Sequence, residues 1–285
     1  MDAIIEKLEA EMNKATVNPE FKTTDNMRDG LMRLWNDPRS ESGDAMRWAG
    51  LDLSLKSELY LLTGIPSSGK STWLDNVIVN SIEDHQYKWA IFSPESHPVE
   101  LHMKQLIEIY TKTNFYGNYN YKRTSEDMIK NALHKLSKNL YMMTPTEENL
   151  TIEALLELVE YLATEHGVNA FVLDPYNEFS HTRPNGMSET EYVSRFMGRV
   201  QQFIKKLDVM AWVVAHPTKL RKEDVIFEDG TKGVDYPVPT AYDIAGSANF
   251  FNKADNIVTV HRDKDKNRNP NNHVQINVQK VRRKT

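Results

Sequence analysis

The stretch LYLLTGIPSSGKSTWLDNV, Leu59 to Val77, constrains this chain more than any other. Leu59 to Leu62 is an apolar run of the length of a buried strand. Gly64-Ile-Pro-Ser-Ser-Gly69-Lys70-Ser71 matches G-x-x-x-x-G-K-[ST], and Trp73 to Asn80 reads as a helix. Strand, glycine loop and helix in that order make a phosphate cradle. The glycines let backbone N–H groups turn inward around phosphate oxygens, and the helix N-terminus adds partial positive charge. Lys70 is expected to reach the β- and γ-phosphates and the Ser71 hydroxyl to bind Mg²⁺. Gly64, Ser67, Ser68, Gly69, Lys70, Ser71 and Thr72 are therefore the expected nucleotide-binding residues. With glycine at about 7% of residues, a chance match to the four fixed positions is roughly a one-in-a-hundred event.

From Leu51 onward the pattern alternates between strand and helix. Strands are expected at Glu58–Thr63, Lys88–Ser93, Leu140–Met143, Ala170–Asp174, Met210–Ala215, Asn256–His261 and His273–Gln279. Helices are expected at Ser71–Ile82, Val99–Lys112, Ser125–Leu136, Ile152–His166 and Glu189–Leu207. Near-continuous apolar strands such as AFVLD and AWVVA imply a sheet covered on both faces. The alternation implies an α/β fold with a mostly parallel central sheet flanked by helices. Ahead of it, Ile4, Ile5, Leu8 and Met12 recur at helical spacing, and a second helix capped by Thr24 or Asp25 carries Met27, Leu31, Met32, Leu34 and Trp35. These helices and the loop NDPRSESGD read as a linker or subunit-docking segment over residues 1–47, leaving 48–285 as the main domain. NFYGNYNYKR reads as a surface loop.

Composition narrows the options. There are no cysteines, which excludes disulfides and cysteine-ligated zinc. The longest apolar runs fall well short of a membrane span, and the acidic, amphipathic N-terminus is unlike a signal peptide. Net charge is −5, so the surface as a whole does not favour nucleic acid. From Lys253 to Thr285, however, nine Lys or Arg face three Asp, a local +6. Any nucleic-acid contact must be confined to a groove or channel.

Three strand ends supply further chemistry. Asp174 closes NAFVLD and is the expected second metal ligand, the acidic partner a phosphate cradle needs. Glu95, in WAIFSPESHP, follows Lys70 by twenty-five residues, and would point into the crevice beyond the strand ends as the group that activates water. Glu178 competes for that role. His216, at the end of MAWVVAH, would touch the γ-phosphate on one side and the loop Pro217–Pro239 on the other. That loop carries Lys219, Arg221, Lys222 and Lys232 and is long for a compact domain. Lys280 and Arg282, two apart in INVQKVRRKT, would point the same way from one strand.

Taken in order, WAGLD, GIPSSGKST, FSPES, FVLDPYNEF, VVAHPTKL, DIAGSANFFNKADNIVTVHRD and VQKVRRK resemble the RecA-like domain of replicative hexameric helicases: the DnaB type and, more closely, Twinkle-like phage and mitochondrial primase-helicases. The resemblance spans Trp48 to the C-terminus. It implies a RecA-like P-loop NTPase core and an ATP-dependent DNA helicase, with ATP or another nucleoside triphosphate, and Mg²⁺, bound between subunits of a homo-oligomer, a hexameric ring in this family. Lys70 and Ser71 then bind phosphate and metal, Asp174 acts through the metal, Glu95 activates water and His216 senses the γ-phosphate. Arg282 is the arginine finger acting in trans, with Lys280 beside it and Arg283 as the alternative. Single-stranded DNA would be gripped by the loop after Asp174, including His181 and Arg183, and by the region from Lys219 to Asn249, with Lys219, Arg221, Ser247 and Asn249 as candidates. The N-terminal helices resemble the linker that packs on a neighbouring subunit.

There are departures. No primase or zinc module precedes the ATPase segment, so priming would lie on a separate or missing segment. The chain stops at RRKT, before a glycine-containing turn and final strands common in the family, as a C-terminal truncation would leave it. The insert IFEDGTKGVDYP is longer than the family minimum. The expected setting is cytoplasmic, bacterial or the host cytoplasm for a phage-encoded protein. The alternative is a recombinase-like or clock-type RecA-fold assembly that binds DNA or a protein without unwinding.

Overall fold

The structure, a computed structural model, describes residues 23–37, 42–48, 50–145, 150–176, 186–218, 220–226, 230–244, 247–264 and 270–282. Contacts divide the chain into two units, Met1–Gly43 with Thr285, and Asp44–Lys284. In the first, helix α1 (Thr24–Asn36) begins at Thr23, whose side chain accepts a hydrogen bond from Asn26 N. Its Met27, Leu31, Met32, Leu34 and Trp35 side chains are exposed.

The second unit is built on a seven-stranded sheet. A short pair, β1 (Asp44–Ala45) and β2 (Ser54–Leu55), precedes it. The chain then runs β3 (Leu59–Thr63), α2 (Lys70–His85), β4 (Trp89–Phe92), α3 (Val99–Thr111), α4 (Glu126–Leu136), β5 (Leu140–Met142), α5 (Ile152–His166), β6 (Ala170–Leu173), α6 (Glu189–Leu207) and β7 (Met210–Ala215). A two-stranded hairpin, β8 (Glu223–Ile226) with β9 (Lys232–Asp235), follows, then α7 (Ser247–Lys253), β10 (Asn256–Lys264) and β11 (Pro270–Val281). Strand order is β11-β10-β3-β7-β6-β4-β5. Strand β11 is antiparallel to β10, and every other neighbouring pair is parallel.

The strands and helices expected after Leu51 are present at nearly the expected places, and the second N-terminal helix is α1, capped by Thr23 rather than Thr24 or Asp25; the helix expected around Ile4, Ile5, Leu8 and Met12 lies outside the described residues. Three features were not expected: the short β1–β2 pair, helix α7, and the β8–β9 hairpin, which forms from part of the long loop after His216. The hairpin strands, Glu-Asp-Val-Ile and Lys-Gly-Val-Asp, are short, carry no apolar alternation and are largely exposed, so no pattern marked them.

Burial on both faces explains the apolar strands. Along β3, Leu59 and Leu61 enter one core cluster, Tyr60 and Leu62 the other. Along β7, Ala211, Val213 and Ala215 face the first cluster, while Met210, Trp212 and Val214 face the second. Helices α5 and α6 fill the first side, and α2, α3 and α4 the second. Trp212 stacks on Tyr60 with ring centroids 4.6 Å apart and meets Trp73 edge-on at 5.7 Å, which ties the P-loop helix to the sheet centre. Truncating so large a buried side chain to Ala costs about 3–5 kcal/mol.

Helix starts are fixed locally. Ser125 and Thr151 cap α4 and α5, and Ser188 with Glu191 makes a reciprocal capping box on α6. Helix α2 starts at Gly69 with no side-chain cap, as α3 does at Pro98. Its first N–H groups are left for another acceptor.

Candidate nucleotide site

Register brings the expected residues to one edge. Thr63 pairs with Ala215, Val213 with Leu173 and Leu173 with Phe92. Gly64, His216, Asp174 and the turn bearing Glu95 therefore leave the sheet together, at the carboxyl ends of its parallel strands. Ligands bind in that crevice in open α/β sheets.

The loop between β3 and α2 needs its glycines. A Cβ on Gly64 would lie 2.2 Å from Val260 O and 2.8 Å from Ser68 Oγ. Gly69 has φ +97°, in the region that disfavours a side chain. Lys70 Nζ donates to Gly64 O at 2.9 Å and Ile65 O at 3.0 Å, folding back across the loop. Ser68 Oγ is buried and has no partner among the described residues. Uncapped N–H groups, a buried ammonium bonded only to carbonyls and an orphaned hydroxyl fit a polyphosphate. Thr72 follows on the exposed side of the first turn.

The acidic partner stands beside this loop. Ser71 Oγ donates to Asp174 Oδ2 at 3.3 Å. Burial, reinforced by the Glu95 charge, pushes the Asp174 carboxyl up to about 6, with Lys70 opposing. Burial lowers the Lys70 ammonium against the pull of Asp174 and Glu95. Ser71 and Asp174 are two hard oxygen donors, and Mg²⁺ binds through one or two such groups plus phosphate. Among the described residues no cluster of three His, Cys, Asp or Glu is arranged for a metal. His216 Nε2 lies 3.7 Å from Glu95 Oε1, too long for a good hydrogen bond. Burial and the nearby Lys70 charge lower the His216 pKa, with Glu95 opposing.

Lys280 and Arg282 lie elsewhere. Val281 pairs with Asn256, and Asn256 with Tyr60, so β11 ends at the amino edge of the parallel strands. Four residues and two strand spacings separate that level from Gly64, roughly 16 Å. Arg282 Nη1 donates to Asp255 Oδ1. Lys280 Nζ donates to Phe251 O at 2.7 Å and Ala254 O at 2.8 Å, at the end of α7, and stands 5.1 Å over the Phe251 ring. The two cations share one corner, as expected, and it is the corner remote from their own chain's phosphate loop.

Among the candidate DNA contacts, Arg221 is exposed ahead of β8. Ser247 opens α7, and Asn249 Nδ2 donates to Thr190 O at 2.9 Å, tying α7 to α6. Glu178, His181, Arg183, Lys219 and Arg283 lie outside the described residues. Arg262 went unmarked in the sequence, yet its Nη2 would be 3.5 Å from a Cβ on Gly69. It reaches the loop from the end of β10 across the sheet, a proximity no sequence spacing records.

Comparison with known proteins bears on the family and the fold. The model of the DnaB-like helicase C-terminal domain matches residues 49–285. This chain belongs to that family. A chloroplastic/mitochondrial Twinkle homologue of Arabidopsis thaliana is 34% identical over 252 residues, covering 86% of this chain. The chain spans about a third of that relative's length, 34%. The solved structure of an ATPase domain superposes with a TM-score of 0.68 at 18% identity, over 91% of this chain and 92% of that one. The DnaB-like domain is thus a RecA-like P-loop NTPase fold of the helicase type, and its family uses nucleotide and Mg²⁺ in general. No described helix is long and apolar enough to cross a membrane.

Proposed function

We propose that this domain is the motor of a replicative DNA helicase, hydrolysing ATP or a related triphosphate at the seam between two copies. Lys70 and the loop from Gly64 to Thr72 hold the phosphates, and Ser71 and Asp174 hold Mg²⁺. Bound there, the metal would neutralise charge on phosphate oxygens. Glu95 orients and deprotonates the attacking water. His216, between Glu95 and Lys70, reports the γ-phosphate to the segment that begins at Pro217. Arg282, with Lys280, comes from the adjacent copy to meet charge on the transferring group. Arg262 flanks the loop from its own chain and is positioned beside a bound nucleotide.

The single observation that carries this reading is the separation of the two sets. Lys70, Ser71, Asp174, Glu95 and His216 meet at one edge, and Arg282 sits roughly 16 Å away at the other. An arginine so placed cannot serve its own loop. A closed ring, six copies in this family, would bring it to the next one. Single-stranded DNA is the proposed partner, held through its backbone by the segments that contain Arg183, Lys219, Arg221, Ser247 and Asn249. A primase would act from another segment or protein. The cytoplasm is the setting proposed for a bacterial or phage-encoded motor.

The test is displacement of a strand from a forked duplex, alongside ATP turnover with and without single-stranded DNA. DNA-stimulated turnover with unwinding is expected. Stimulated turnover without unwinding would favour the non-unwinding RecA-type assembly, and turnover by a strict monomer would sink the shared site.

A further inference from the structure

One polar contact in the core is not used by the chemistry above. Asp75 lies one helical turn beyond Ser71 on α2, and His102 lies on the first turn of α3. His102 Nε2–H donates to Asp75 Oδ1 at 2.8 Å. Asp75 is 2% exposed and His102 5%. Asp75 Oδ2 and His102 Nδ1 are also buried, with no partner among the described residues. Burial raises the Asp75 carboxyl. Burial works against the charged imidazole of His102 too, but the bond to Asp75 leaves its pKa raised.

Stability alone does not account for this pair. Its neighbours on α2 and α3 are Trp73, Leu74, Ile78, Leu106 and Ile107, all in the same apolar cluster. An apolar pair of similar volume generally stabilises such a site as well or better. The pair's place in the fold gives another reason. Helix α2 begins at the phosphate loop. Helix α3 begins at Val99, directly after the turn that carries Glu95. The bond therefore locks the helix that fixes the phosphates to the helix that anchors Glu95. It also stands within electrostatic reach of Asp174, which feels the Asp75 charge as His102 feels that of Asp174.

We propose that Asp75 and His102 form a positioning pair that sets Glu95 at its working distance from the phosphate-binding end of α2. The inference rests on Glu95 as the hydrolytic base. Small displacements of such a group cost rate while leaving the phosphate cradle intact.

The experiment uses the full chain assembled on single-stranded DNA and measures single-turnover ATP hydrolysis, affinity for a fluorescent ATP analogue and thermal unfolding. Asp75→Leu/His102→Leu replaces the pair with apolar side chains and is expected to slow hydrolysis about tenfold or more, with affinity within about threefold of wild type. Asp75→Asn keeps an acceptor for the imidazole and is expected to stay within about threefold of the wild-type rate. Should the double variant fail to fold, His102→Asn, too short to bridge, carries the same expectation. The deciding measurement is the double variant placed on Glu95→Gln, where little further loss is expected because the effect runs through Glu95. A wild-type rate in the folded double variant, a loss of affinity that matches the loss of rate, or a full additional loss on Glu95→Gln would each overturn the inference. If Glu95→Gln itself turns over normally, the assignment of the base fails first, and that outcome is read separately.

Discussion

At the carboxyl ends of the parallel strands, charge is buried and poorly matched; at their amino ends it is matched within the chain. Lys70 bonds to two carbonyls, and Asp174, which keeps a long bond to Ser71, is pushed up to about 6. At the other edge Arg282 is paired with Asp255, and Lys280 with the last carbonyls of α7. The first arrangement holds groups in an environment that only a ligand would complete, a mark of functional sites. The second holds two cations on acceptors from which they can be withdrawn at modest cost, since the Arg282 side chain remains 55% exposed. In the proposed assembly the second edge of one copy meets the first edge of the next.

The largest test breaks the first edge. Lys70→Ala should reduce turnover about a thousandfold while leaving the far-UV circular dichroism of the domain unchanged. Normal turnover would remove the cradle from the mechanism. Next, Glu95→Gln should slow hydrolysis about a hundredfold or more yet retain nucleotide in equilibrium binding. Loss of binding instead of rate would place Glu95 among the structural residues.

A third experiment asks whether the edges meet. Arg282→Ala and Glu95→Gln should each be inactive, but an equal mixture should recover about a quarter of wild-type turnover, because a quarter of random interfaces keep both groups. Mixtures shown to co-assemble that recover nothing would end the shared site.

The smallest effect concerns the buried carboxyl. Asp174 binds its proton more tightly folded, at about 6, than at its ordinary 3.8. Its contribution to stability is complete below 3.8 and is lost as pH rises through about 6. Asp174→Asn, which mimics the protonated form, should therefore match wild type near pH 4 and melt a few degrees higher at pH 7 without nucleotide, for at most about 3 kcal/mol. Equal melting at both pH values would show that Asp174 is not held against its charge.

Much of this was legible in the chain. Motifs that follow apolar strands marked Lys70, Ser71, Glu95, Asp174 and His216, because a parallel sheet delivers successive strand ends to one edge. Lys280 and Arg282 were marked by their spacing on a strand. Asp75, His102, Asp255 and Arg262 were not marked. Asp75 left a faint sign, a carboxylate among Trp73, Leu74, Val77 and Ile78 on an otherwise buried helix face. His102 gave no sign before its partner was known, since a histidine on a helix is unremarkable without a neighbour.

The sequence by itself determined the phosphate loop, the parallel core and the helicase family, since these depend on local backbone demands and on hydrophobic period. Only the tertiary structure decided which edges Arg282 and Arg262 occupy. Strand β11 returns antiparallel, and that reversal carries Arg282 to the far side of the sheet while Arg262 stays over Gly69. Strand direction is fixed by packing across many residues, and no short motif encodes it.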